Sequence, residues 1–169
     1  IHLEVMLEIS SAFEFLHENN VVFRDIKPAN IGITFNGVPQ VFDFGLAKEL
    51  KEKNRVGQDA YLVSSICGSK RYMATEVFNG DPSGLSADVF SFTLMLWEVL
   101  AISVPFKHMD PEQHTKFVHV KNRRPKIERS WPKPAKKLLK RGWARDPQVR
   151  PTMKEIQNEI RSLYACDFK

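Results

Sequence analysis

Residues 1–19 are apolar almost all round, with Glu4, Glu8, Ser11 and Glu18 forming one narrow polar stripe at helical spacing. That pattern predicts a largely buried helix. Three short β-rich pieces follow, Val21–Phe23, Ile31–Phe35 and Val38–Phe42, and Asn36-Gly37 separates the last two. Both turn residues tolerate positive φ, so the pair predicts a tight hairpin. Residues 46–70 are polar and irregular, which predicts a long loop of the kind that carries function in compact domains. From about Ser86 onward the chain reads as helical. Asp110-Pro111 supplies a cap and a first-turn proline, and Thr152 with Glu155 makes a capping box for the last helix. The order is helix, small hairpins, long loop, helices: a mainly α body carrying a β-edged site.

The most apolar run, Val89–Phe106, approaches the length of a membrane span, but Glu98 lies inside it and Asp88 precedes it. A charge near a bilayer centre is costly, so the run is expected to be a helix buried in protein, with no membrane span. The chain has 169 residues, 43% of them hydrophobic and 27% charged, as expected for one soluble globular domain. It begins with Ile1, and no basic-then-apolar leader opens it. Cys67 and Cys166 are the only cysteines, too few for a disulfide framework or a zinc cluster, and the expected compartment is the reducing cytoplasm. The net charge of +5 is uneven. Residues 121–145 hold eleven Lys or Arg against Glu128 alone, a local +10 that leaves the remainder at −5. The segment has three prolines and no aromatic ladder, so it is read as a solvated surface and no nucleic-acid partner is expected.

The candidate chemistry lies in "VVFRDIKPANIGI", residues 21–33, and "VFDFGLAKE", residues 41–49. Asp25 can hold the hydrogen of an acceptor hydroxyl. Lys27, two residues on, falls on the same side of an extended segment and can neutralise charge on a transferred phosphoryl group. Asn30 offers a carbonyl oxygen, and Asp43 a carboxylate, to a hard cation such as magnesium. Gly45 permits a sharp turn after Asp43. Singly, each has a structural explanation as a surface pair or turn residue. Together, with D-F-G thirteen residues after R-D-x-K-x-x-N and a hairpin between, they make a strong pattern.

That pattern resembles the C-terminal lobe of a protein kinase, of the serine/threonine type and leaning to its tyrosine-kinase-like branch. "FRDIKPAN" is similar to the catalytic loop, "DFG" to the magnesium loop, and "CGSKRYMATE" (67–76) to the end of the activation loop. "SADVFSFTLMLWEVL" (86–100) resembles the central helix, and "WARDPQVRPTM" (143–153) the stretch before the last helix. The resemblance implies a helical C-lobe spanning 1–169: residues 1–45 with the catalytic and magnesium loops, 46–76 as activation segment, and 77–169 as helical subdomain. It implies that the N-lobe, with its Gly-rich loop and strand lysine, is absent here and precedes residue 1. The implied activity is transfer of the ATP γ-phosphate to serine or threonine of protein substrates, with the chain alone inactive. The alternative is a pseudokinase or scaffold lobe that binds protein partners without catalysis.

Residue by residue, the resemblance implies that Asp25 is the catalytic base and Lys27 the phosphate-contacting lysine, with Asn30 and Asp43 as Mg²⁺ ligands. Gly32 would lie beneath the adenine of ATP, where a bulky apolar residue is usual. Ser69 would bridge Asp25 and Lys27, Asp88 would anchor the catalytic-loop backbone, and Glu76 would form a buried ion pair with Arg150. Arg24 and Ser65 form the implied regulatory pair, a phosphate on Ser65 meeting the Arg24 guanidinium and ordering the loop. The chain departs from the pattern at Phe23, where a histidine is usual, and the expectation is that Phe23 stacks on Phe44. It departs again at Thr75, in place of a proline, which frees that turn.

Overall fold

The computed structural model describes residues 2–63 and 66–167; the expected phosphosite Ser65 lies outside them. In chain order the elements are α1 (His2–Glu18), β1 (Val21–Val22), β2 (Ile31–Ile33), β3 (Pro39–Val41), β4 (Lys48–Glu49), β5 (Arg55–Gly57) and β6 (Ala60–Tyr61). Helices α2 (Thr75–Asn79), α3 (Leu85–Ala101) and α4 (Pro111–His114) follow. A π-helical turn (Thr115–Val120), α5 (Lys133–Gly142) and α6 (Met153–Asp167) complete the chain.

Helix α3 is the axis of the core. Its residues Ala87 through Trp97 are buried without a break, because this segment is packed on all sides rather than along one stripe. No helix among the described residues is long and apolar enough to cross a membrane. Phe13 of α1 stands edge-on to Phe23, with ring centroids 5.4 Å apart, and to Phe92 of α3 at 6.1 Å. This aromatic contact fixes the segment around Phe23 between the two helices.

The hairpin forms around Asn36-Gly37, although of the two only Gly37 takes positive φ. Strands β2 and β3 pair antiparallel with Ile31 opposite Val41, and Gly37 takes φ 82 in the turn. The caps also form. Asp110 Oδ1 accepts from Gln113 N at 2.8 Å, and Thr152 N donates to Glu155 Oε2 at 2.7 Å while Glu155 N donates to Thr152 Oγ1 at 3.2 Å.

Two expectations need correction. Residues 46–70 are more ordered than a long loop: β4 pairs with β1, and β5 pairs with β6. The cause is a small second cluster of Val22, Leu50 and Tyr61, whose scattered apolar side chains bury together and draw the polar backbone around them into ladders. Asp59 adds a tie, accepting from Leu85 N at 2.8 Å and Ser86 N at 2.9 Å and so capping α3 from the 46–70 segment. Second, residues 121–132 interrupt the helical half; Pro125 and Pro132 remove donors there.

Beneath α2 lies a buried histidine pair. His119 stacks on Phe78 with centroids 4.0 Å apart and meets Thr75 Oγ1 through Nδ1 at 3.5 Å. His114 stands edge-on to it at 5.2 Å, and the Nε2 atoms of both rings are buried without a partner among the described residues. Thr75 therefore ties its turn to the π-helical segment instead of merely freeing it. Burial first, then the charges of His114 and Arg124, push His119 down to about 4. A neutral folded-state ring makes no pH contribution above the unfolded value of 6.5. As pH falls from there to 4 the unfolded chain gains a proton that the folded chain refuses, so stability drops, by about 3 kcal/mol in total. Urea unfolding at pH 7 and pH 4.5 should show this loss, and His119→Phe should remove most of it; an unchanged pH slope in the variant would place the acid sensitivity elsewhere.

Candidate active site

The segment from Phe23 to Asn30 is held from below by one carboxylate. Asp88, 1% exposed on α3, accepts from Phe23 N at 2.7 Å (Oδ2) and from Arg24 N at 2.9 Å (Oδ1). His17 Nε2 of α1 lies 3.1 Å from the same Oδ2. A buried carboxylate with three polar neighbours is satisfied, and it pins two successive amides although Arg24 takes φ 75.

Above this anchor Asp25 is the hub. It is 7% exposed. Its Oδ2 accepts from Lys27 Nζ at 2.6 Å and Asn30 Nδ2 at 3.1 Å, and its Oδ1 accepts from Ser69 N at 2.7 Å. Lys27 Nζ also donates to Ser69 Oγ at 2.9 Å, and Asn30 Nδ2 to the Asp25 carbonyl at 2.9 Å. Burial alone would push the Asp25 carboxyl up; hydrogen bonds from Lys27, Ser69 and Asn30 outweigh it and hold the group below its ordinary value. The site thus holds an ionised carboxylate with a cation beside it at neutral pH.

Gly68 lets Ser69 arrive there. It takes φ +101, and a Cβ would run into the Arg24 carbonyl oxygen and stand 3.6 Å from Asp25 Oδ1. Gly68→Ala should therefore displace Ser69 from Asp25 and cost about 1–3 kcal/mol from strained backbone. Thermal unfolding beside a crystal structure of the variant checks this, and an unmoved Ser69 at wild-type stability would contradict it.

Asp43 stands exposed at the end of β3, tied to Asn30 through the hydrogen bond of Phe42 N to the Asn30 carbonyl at 2.8 Å. The left-handed residue is Asp43 itself, at φ 60, and not the glycine that follows. Gly45 serves differently: its amide donates to Asp43 Oδ1 at 3.3 Å, and a Cβ there would stand 3.1 Å from that oxygen. With Asn30 Nδ2 engaged on Asp25, Asn30 Oδ1 and the Asp43 carboxylate are the hard oxygen donors of this edge. They suit a magnesium ion that keeps its other positions for water or phosphate.

Phe23 is fully buried and stands edge-on to Phe44, centroids 5.3 Å apart at 86°, so the two rings meet in a T rather than a stack. Gly32 does not leave a gap. The Phe42 ring occupies the space a side chain would take, Cζ lying 2.9 Å from an ideal Cβ, and Phe42 remains half exposed. Arg24 reaches the segment that carries Ser69 through a hydrogen bond from Nη2 to Cys67 Sγ. Glu76 and Arg150 form a two-pronged pair, Nη1 to Oε1 at 2.6 Å and Nη2 to Oε2 at 3.0 Å.

Sequence reasoning did not find His17, Asp59, Cys67 or Phe42 as parts of this neighbourhood. His17 lies in an ordinary helical stripe and Asp59 in a polar run, so neither carries a local signal. Phe42 could have been found, since Gly32 faces Gln40 in the hairpin register and Phe42, two residues on and on the same face, is the diagonal neighbour whose ring a glycine admits.

Comparisons with known proteins identify the family. A family model described as "Protein kinase domain" matches residues 2–160. Serine/threonine-protein kinase STY17 of Arabidopsis thaliana is 35% identical over 161 residues, 95% of this chain and 27% of that protein. Dual specificity protein kinase shkC of Dictyostelium discoideum is 35% identical, covering 92% of this chain and 31% of that protein. Mitogen-activated protein kinase kinase kinase 12 of Rattus norvegicus is 31% identical, covering 88% and 16%. The chain thus spans less than a third of the length of each of these relatives.

Proposed function

The chain belongs to the protein kinase family, and on that footing we propose that it is the helical C-lobe of a serine/threonine kinase that transfers the ATP γ-phosphate to protein hydroxyls. The observation that carries the reading is the Asp25–Lys27–Ser69–Asn30 network around one ionised carboxylate. A carboxyl held below its ordinary value is a weak base, so its work is to accept the hydrogen of a serine or threonine hydroxyl and aim that oxygen. Lys27 sits where charge grows on the transferred group. Asn30 and Asp43 would hold Mg²⁺, which when bound neutralises phosphate charge and orients the transferred group. Phe42 takes over the apolar floor that Gly32 lacks. Glu76 with Arg150 joins the end of segment 46–76 to the helices of 77–169.

Retention of Asp25, Lys27, Asn30 and Asp43 in one connected arrangement favours catalysis over a scaffold, which needs none of them. ATP also needs a second wall, so the N-lobe is an intramolecular partner in the longer protein, whose expected location is the cytoplasm. The isolated 169 residues should bind Mg-ATP weakly; calorimetric titration giving a micromolar dissociation constant would contradict the two-lobe reading. In the full-length protein, Asp43→Ala should abolish magnesium-dependent nucleotide binding while a serine/threonine peptide still binds. Wild-type protein that fails to transfer phosphate to any serine or threonine peptide, yet folds and binds partners, would favour the scaffold reading.

Regulation follows from Arg24. Its guanidinium already reaches Cys67, two residues from Ser65. A phosphate on Ser65 brings roughly −1.5 to −2 charge to that guanidinium. Phosphorylation there should raise activity and Arg24→Ala should remove the gain. Mass spectrometry of active protein, with Ser65→Ala and Arg24→Ala assayed beside it, is the check; full activity in both variants with residues 61–65 unmodified excludes this switch.

A further inference from the structure

Helix α5 carries its charge in an arrangement that its own stability does not explain. Its inner face, Ala135, Leu138, Leu139 and Gly142, is buried. Its outer face gathers Lys133, Lys136, Lys137 and Lys140, with Arg141 at the edge, around a shallow concavity of about 430 Å³ lined by these cations alone. Arg141 is answered by Glu159, 2.7 Å away, and Lys136 donates to the Arg129 carbonyl at 2.7 Å. Among the described residues no carboxylate comes within ion-pair distance of the four lysines. The first turn holds no acid, although the positive end of the helix dipole favours one. The pairs 133/136, 137/140, 133/137 and 136/140 all set like charges three or four residues apart, where they repel. The dipole favours Lys140 and Arg141 in the last turn, but the acid-free first turn and the four repelling pairs favour an external anion over this face.

We infer that the lysine face of α5 docks on an anionic phospholipid surface. Apart from exposed Pro134 in the first turn, the face offers no aromatic or apolar side chain, so it lacks the large anchor that a protein partner's interface is built around, and it lacks a platform for stacked bases. Lysine ammonium groups are point charges on flexible stems, without the fork that selects a shaped carboxylate or phosphate partner. A bilayer surface asks only for positive potential within a Debye length. Leu138 and Leu139 are 1% and 0% exposed, so no apolar side of the helix is available to insert, and the contact is peripheral. This placement is independent of the catalytic reading, since α5 contributes nothing to the Asp25 network.

The test is co-sedimentation of the full-length protein with phosphatidylcholine vesicles, with and without about 30% phosphatidylserine, each lysine near the surface being worth roughly fivefold in partitioning. The expected result is a preference for the phosphatidylserine vesicles that about 0.5 M salt abolishes. The triple variant Lys133→Gln/Lys137→Gln/Lys140→Gln should lose about a hundredfold in partitioning, and the charge reversal Lys133→Glu/Lys137→Glu/Lys140→Glu should lose more. An equal charge change elsewhere, Lys53→Glu/Lys107→Glu/Lys116→Glu, should retain most of the preference. No preference for phosphatidylserine, equal loss in both charge-reversal variants, or tighter binding to duplex DNA or an acidic peptide at the same salt overturns the proposal. Exposed lysines exchanged for glutamate relieve the internal repulsion, so the reversed helix is expected to fold, and circular dichroism confirms that beside the binding assay.

Discussion

Asp25→Asn in the full-length protein should reduce the turnover of phosphoryl transfer by about 10²–10⁴-fold while the protein stays folded and still binds Mg-ATP. The asymmetry of the site gives the reason. Oδ1 receives the Ser69 amide and Oδ2 receives Lys27 and Asn30, so both oxygens are acceptors. An asparagine has one acceptor and must turn its NH₂ toward one of those donors. Either Ser69 loses its anchor or Lys27 meets another donor, and a substrate hydroxyl loses the oxygen that would hold its hydrogen. The structural cost is one unmatched hydrogen bond, about 1–3 kcal/mol, below the total stability of a typical domain. Rate and fold therefore separate in this variant. Turnover measured with nucleotide affinity and thermal unfolding makes the decision: near wild-type turnover would remove Asp25 from the reaction, while a lost nucleotide affinity would mean the variant damaged the metal edge instead. Because the Asp25 carboxyl lies below its ordinary value, its ionised form contributes stability above the unfolded value of 3.8 and loses it as pH falls through the lower folded value. The acid limb of activity between pH 5 and 7 should accordingly belong to another group.

What could be read from the sequence had a local physical cause. Asn36-Gly37 forces its hairpin, Asp110 and Thr152 force their helix starts, and the charge-poor run after Asp88 forces a buried helix. The proposed site was legible for a different reason: Asp25, Lys27, Asn30 and Asp43 lie in one short chain segment, at a spacing that suits phosphate and metal chemistry. The remainder depended on contacts distant in sequence. Leu50 and Tyr61 organise strands only because Val22 lies across from them. His17 reaches Asp88 across 71 residues, and Asp59 reaches Leu85 across 26, with nothing in either neighbourhood to announce the partner. The left-handed residue at this turn is not legible locally, since an aspartate that bonds the amide two residues on can occupy the region that glycine usually supplies.

Glu76→Gln should destabilise the fold by about 3–5 kcal/mol, a large part of what a domain of this size has to lose. Arg150 has no side-chain exposure, and its guanidinium is completed by the carbonyls of Ala144, Ser86 and Arg145. Carbonyls satisfy hydrogen atoms but do not cancel charge, and the Glu76 carboxylate is the group that does. A second cation raises the demand. Arg124 lies 4.8 Å above the Phe90 ring that Arg150 covers at 5.1 Å, and burial, with the charge of Arg150 next, pushes Arg124 down to about 10. Glutamine in place of Glu76 keeps the shape and one acceptor but leaves two guanidinium groups sharing one apolar ring with no anion. The decisive measurement is a double-mutant cycle in urea. Glu76→Leu and Arg150→Met should each cost several kcal/mol, and the double variant should cost clearly less than their sum, because no lone buried charge is left behind. Additive losses would mean that the pair is held by its carbonyls and packing, and that Glu76 ties α2 to the helical body by shape rather than by charge.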